Sequence, residues 1–148
     1  MKILIDSKWI DKDDKIGVYD PFDNSFIDHI PKADRDDVNR VLQAAEKGCK
    51  IAKNLTIYER SQILYKTADI LTNRTEEFAQ LLARESSKTI REARKEVSRC
   101  VNTLRVSGEE AKRIHGETIA FDSFPGGENR KGYYYRFPIG IILAITPF

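Results

Sequence analysis

The chain has 148 residues, 41% hydrophobic and 32% charged, which is enough for one ordinary core and no more than one complete domain. Its 25 basic and 23 acidic residues leave a formal net charge of +2 spread along the whole sequence, so charge alone selects neither nucleic acid nor anionic lipid, and both are disfavoured as partners. The two cysteines, Cys49 and Cys100, stand far apart without Cys-x-x-Cys spacing or a histidine cluster, which argues against a metal site or a disulfide framework and for a reducing cytoplasm.

The start, "MKILIDSKWIDKDDK", meets charge after a few apolar residues and lacks the apolar core of a secretory signal. "ILIDSKWI" sets a polar turn between two short apolar strands, and "KIGVYDPFDNSFIDHIP" does the same around Pro21-Phe22-Asp23-Asn24, so two hairpins are expected. Asp34 can cap a helix whose Val38, Val41, Leu42, Ala45, Cys49 and Ala52 recur at three- and four-residue steps. Thr56 with Glu59 has capping-box spacing for a second helix, and Asn73 with Glu76 repeats it for a third. From about Lys88 to about His115, Ile90, Val97, Leu104 and Ala111 recur every seven residues with Ala93, Cys100, Ser107 and Ile114 between them, and Gly116 stands where a C-cap glycine would.

Extended structure returns in "FDSFPGGENRKGYYYRF", where a Pro-Gly-Gly turn leads into Tyr133, Tyr135 and Phe137 alternating with Tyr134 and Arg136. "IGIILAITP" does not alternate. A continuous β-branched apolar run of that length reads as a parallel strand buried on both faces, and the run from Phe137 to Phe148, broken by two prolines, is too short to span a bilayer, which needs roughly 20 apolar residues.

No nucleophile, base or anion cradle stands out. Cys100 and Cys49 read as small core residues, because apolar burial suppresses thiolate formation. His29 and His115 lack partners at a motif spacing and read as loop or surface residues, and "PGGENRKG" reads as a turn rather than a phosphate loop. "NRKGYYYR" could stack on single-stranded nucleic acid, yet an aromatic strand packed on a neighbouring sheet explains it without a wider basic surface. Arg99, beside the apolar stripe, either reaches solvent or points into a cleft where a guanidinium can grip a carboxylate, phosphate or phosphonate. A helical interaction module pairing through the long helix is the competing reading, weakened by Ser107, Gly108 and the basic Arg91, Arg94, Lys95 and Arg99, which give no clean charge code.

Taken in order, "LIDSKWID", "VYDPFDNSFIDHIP", "ERSQILYKTADIL", "RESSKTIREARKEVSRCVNTLR", "GEEAKRIHGETI" and "RFPIGIILAITPF" resemble the N-terminal part of the NAD(P)-dependent aldehyde dehydrogenase superfamily. The resemblance implies an incomplete α/β fold: N-terminal hairpins and helices of a Rossmann-type domain, ending in a parallel core strand. It divides the chain into hairpins at 1–32, a helical layer at 33–116, a segment towards the oligomerisation sheet at 117–138 and a first central strand at 139–148. It implies NAD or NADP as cofactor, an aldehyde as substrate, a homo-oligomer in the complete protein, and Ile145, Thr146, Pro147 and Phe148 beside the nicotinamide.

The same resemblance places the reacting groups, including the nucleophilic cysteine, the general-base glutamate and an asparagine that follows Phe148, outside this sequence, so the chain alone is expected to be inactive. It puts Arg99 at the aldehyde entrance, where relatives acting on anionic aldehydes also carry an arginine. The "GYYYRFP" edge is expected to be covered by another subunit and, exposed, to limit solubility. Two departures stand out: Glu85-Ser86-Ser87-Lys88-Thr89 replaces the family's Glu-Thr-Gly-Lys-Pro turn, and Phe148 replaces a tryptophan common in other branches.

Overall fold

The computed structural model describes residues 1–146 and combines three two-stranded antiparallel sheets with four α-helices. Strands β1 (Ile3–Ile5) and β2 (Lys8–Ile10) form the first hairpin. Asp6 and Ser7 at its tip both take positive φ, 50° and 61°, the twist that lets a two-residue loop match the strands on either side. Strands β3 (Lys15–Tyr19) and β4 (Phe26–Pro31) form the second, with a register shift between Val18 and Tyr19 that brings the Tyr19 and Phe26 rings edge to face at 5.7 Å. Its loop is held by Asp20, which accepts from the Phe22 N–H, and by Asp23, which accepts from the Ser25 N–H, both at 2.9 Å.

Helix α1 (Arg35–Ala52) opens on the expected Asp34 cap, and Asp37 completes a capping box. Lys12, on the connection between the hairpins, donates to both Asp34 and Asp37, so one ammonium fastens the hairpins to the helix start. That bond, followed by the Asp37 N–H, holds the Asp34 carboxyl at about 2, below its ordinary 3.8. A carboxylate whose folded pKa is depressed stabilises the fold fully above its unfolded value and loses that contribution as pH falls through the folded one. Replacing Lys12 by Met therefore lowers the thermal midpoint most above pH 3.8, and the gap to the parent closes towards about pH 2; a gap independent of pH would show that Lys12 does not act through these carboxylates.

Helix α2 (Ile57–Asn73) has the expected Thr56–Glu59 capping box. The third helix, α3 (Thr75–Ser86), does not start as expected: Asn73 is the last residue of α2, Arg74 takes the cap position without a side-chain hydrogen bond, and Glu76 is bound elsewhere. Its carboxylate receives Nε and Nη2 of Arg94 at 2.9 and 2.8 Å, joining α3 to the next helix, α4 (Ile90–Glu110). Between them Ser87 sits at φ 53°, ψ 28°, the left-handed conformation that a glycine would hold at lower cost, and Thr89, in place of proline, caps α4 with Glu92. A left-handed residue followed directly by a helix start thus forms without the glycine and proline.

The core lies where α4 crosses α2 and α3: Ala79, Ala93 and Val97 are buried together against Leu71, Leu82 and Ala83. The buried face of α4 runs through Ala93, Val97, Val101 and Gly108, so Val101 and Gly108 take the places that the sequence pattern gives to Cys100 and Ser107. That packing leaves Cys100 and Ser107 outside the buried face; Cys100 is exposed and Cys49, on α1, only half-buried, not the core residues expected. The packing also occupies the helix face that an interaction module would need. Gly108 admits the Tyr65 ring, 2.7 Å from where a Cβ would stand.

After a 3₁₀ turn at Ala111–Arg113, β5 (Glu117–Ile119) pairs with β6 (Gly132–Tyr134). Gly116 does not cap α4 and has no positive φ; it is glycine because a Cβ there would lie 1.6 Å from the Tyr134 carbonyl oxygen. The Tyr133 and Tyr135 rings meet at 5.5 Å on one face, as their alternation predicts. The expected parallel strand at 139–148 is not formed among the described residues: 135–146 pair with no neighbour, and a ladder needs one. Ile141, Ile142 and Leu143 instead line an open apolar cleft of about 430 Å³ against β1 and α1.

Candidate functional site

The cleft that carries Arg99 is built along the first turns of α4. The Thr89 hydroxyl accepts from the Glu92 N–H at 3.3 Å and donates to the Glu92 carboxylate at 2.8 Å, which uses that carboxylate at the helix start. One turn on, Glu96 Oε2 accepts from Lys88 Nζ at 2.7 Å, with both side chains about 30% exposed or less. The Lys88 bond holds the Glu96 carboxyl below its ordinary range, and the Thr89 bonds do the same for Glu92. Both acids stay charged at neutral pH.

Arg99 follows on the same side. Its guanidinium stands 3.8 Å from Glu96 Oε1, close enough for attraction and too far for a hydrogen bond, and its side chain is 76% exposed. Lys88, Glu92, Lys95, Glu96 and Arg99 line a cleft of about 380 Å³. Arg99 therefore does both things that its position allowed: it reaches solvent, and it forms a wall of a cleft. The neighbouring acids and lysines were not singled out in the sequence, although Lys88, Glu92 and Glu96 at steps of four, and Lys95 and Arg99 at the same step, give the helical spacing that would have grouped them.

Ile145 and Thr146 do not join that cleft. Ile145 is 85% exposed and Thr146 is exposed, whereas Pro147 and Phe148 lie outside the described residues. Ile145 and Thr146 offer an exposed apolar side chain with a hydroxyl beside it. The Gly126-Gly127 stretch is no phosphate cradle: the Gly127 N–H is spent on the Phe124 carbonyl at 3.2 Å, within a turn. Among the described residues no three metal-ligating side chains gather, and no helix is long and apolar enough to cross a membrane.

A family model described as the aldehyde dehydrogenase family matches residues 9–148. The chain belongs to the aldehyde dehydrogenase family. A 3-sulfolactaldehyde dehydrogenase of Priestia megaterium is 41% identical over 146 residues, covering 99% of this chain and 30% of that protein. Among solved structures, aldehyde dehydrogenase 21 from Physcomitrella patens, in complex with the reaction product succinate, superposes with a TM-score of 0.81 at 34% identity, over 89% of this chain and 28% of that one. An NADP-dependent glyceraldehyde-3-phosphate dehydrogenase from Bacillus halodurans, complexed with NADP, gives 0.79 at 34% identity, over 85% of this chain and 27% of that one. This aldehyde dehydrogenase chain spans 26% to 30% of the length of the curated relatives it matches.

Proposed function

We propose that this chain is the N-terminal part of an NAD(P)-dependent aldehyde dehydrogenase that oxidises an anionic aldehyde to a carboxylic acid through a cysteine thiohemiacetal, and that the 148 residues alone are inactive. The observation that carries the reading is a mismatch of coverage: the sulfolactaldehyde relative accounts for 99% of this chain with only 30% of its own length. The apolar run agrees with it. Ile139, Ile142, Leu143 and Ile145 are 75% to 88% exposed, which is the condition of a core strand without its sheet, and covering them would remove a large apolar area from water.

The chemistry that the nicotinamide supplies when bound is hydride acceptance. This chain contributes binding and placement: Ile145 and Thr146 as one wall beside the ring, with Pro147 and Phe148 continuing it, and Arg99 as the grip on the substrate's acidic group. Cys49 and Cys100 make no side-chain hydrogen bond among the described residues, so neither has the adjacent base that activates a nucleophile. Tyr133, Tyr135 and Phe137, 69% to 84% exposed, form the edge that another subunit covers in the proposed homo-oligomer, and the protein works in the cytoplasm.

Mixed with an aldehyde and NAD+ or NADP+, the isolated chain is expected to yield no reduced cofactor above a protein-free control. Sustained turnover, followed by absorbance of the reduced nicotinamide, would place the reacting groups inside these residues and end the reading.

A further inference from the structure

The cleft on α4 holds more positive charge than Arg99 alone. Of its five lining side chains, the two acids are already engaged, Glu92 by Thr89 and Glu96 by Lys88. Lys88 and Glu96 cancel as a pair, and Glu92 sits at the positive end of the helix dipole. What remains is Lys95 and Arg99. Lys95 has no ion pair or hydrogen bond from its ammonium among the described residues, and the nearest acid to Arg99 is 3.8 Å away. The two are four residues apart on one helix, about 6 Å along its axis, so both can reach one bound group.

We infer that Lys95 is a second specificity-determining residue, which with Arg99 makes a two-cation receptor for a tetrahedral oxyanion, sulfonate or phosphate, on the aldehyde substrate. This rests on the reading of Arg99 as the anion grip. The chemistry separates the ligands. A planar carboxylate offers two oxygens and is satisfied by one guanidinium fork. A tetrahedral group carries three terminal oxygens, and after Arg99 takes two the third points away from the fork, where a flexible ammonium can meet it as a point charge.

The test uses the complete enzyme and three aldehydes of similar length ending in a sulfonate, a carboxylate or a neutral hydroxyl. Lys95→Gln is expected to raise KM for the sulfonate about 5- to 10-fold, to move KM for the carboxylate and the neutral aldehyde by less than about twofold, and to leave kcat nearly unchanged, the pattern of lost binding rather than lost chemistry. Lys95→Arg restores the sulfonate KM. Equal effects of Lys95→Gln on all three aldehydes, or none on the sulfonate, overturn the inference. Arg99→Ala in parallel tells the two failures apart: if it discriminates anionic from neutral aldehydes while Lys95→Gln does not, only the second cation falls, and if it does not discriminate, the reading beneath falls too.

Discussion

Arg99→Ala in the complete enzyme is expected to raise KM for an anionic aldehyde about 10- to 30-fold, while a neutral aldehyde of equal length changes by less than about twofold. The size follows from what is removed. Hydrogen bonds between charged partners are worth about 1.5–3 kcal/mol, and each 1.4 kcal/mol is a factor of ten in binding. A side chain 76% exposed is screened by water, which favours the lower part of that range. Little of the loss should come from folding, because the guanidinium contributes no hydrogen bond to the fold among the described residues. Steady-state kinetics on both substrates decide the matter, and parallel losses on the two would remove the anionic substrate from the proposal.

Gly116→Ala is the substitution expected to cost the fold most. A Cβ there meets the Tyr134 carbonyl oxygen at 1.6 Å and its carbon at 2.8 Å, both backbone atoms of the strand that must pair with β5 one residue later. A side chain can rotate away from such a clash; a hydrogen-bonded strand can only shift. The penalty should therefore reach the upper end of overpacking costs, about 3 kcal/mol. Gly48→Ala provides the contrast. It lies inside α1 with nothing within 4 Å of the new methyl, so it should stabilise by up to about 1 kcal/mol through helix propensity. Thermal melting that moved both variants in the same direction would contradict the assignment of Gly116 to close backbone approach.

These two glycines show how far local reading reaches. Punctuation placed the hairpins, because Asp6-Ser7 and Asp23-Asn24 are residues that tolerate tight turns, and Asn24 does adopt a positive φ of 60°. Capping chemistry placed the starts of α1 and α2, since Asp34 and Thr56 each meet an acid three residues on. The same spacing misled at Asn73. A cap must leave the helix, and packing kept Asn73 inside α2 while Arg94 drew Glu76 across to α4. Thr89 is the converse case, a threonine that caps α4 with Glu92 three residues on, the same spacing that opens α2.

The candidate site divides in the same way. Arg99 was legible because a cation beside an apolar stripe is conspicuous, whereas Lys95 was one of several basic residues until the structure showed which acids nearby were already bound. Cys100 was misplaced because the buried face of α4 passes through its neighbour Val101 instead, and only the packed partners, α2 and α3, decide which face wins.

By itself the sequence determined the order of the hairpins and helices, the starts of α1 and α2, the turn positions and the apolar character of the last run, all of which depend on residues within a few positions of one another. Tertiary structure decided what depends on distant partners: the buried face of α4, the reason for glycine at 116, the engagement of Glu92 and Glu96, and the unpaired state of residues 135–146. The physical reason is common to all four. A cap or a turn is satisfied locally, but a strand is made by its neighbours and a charge is made available by what its neighbours have already bound.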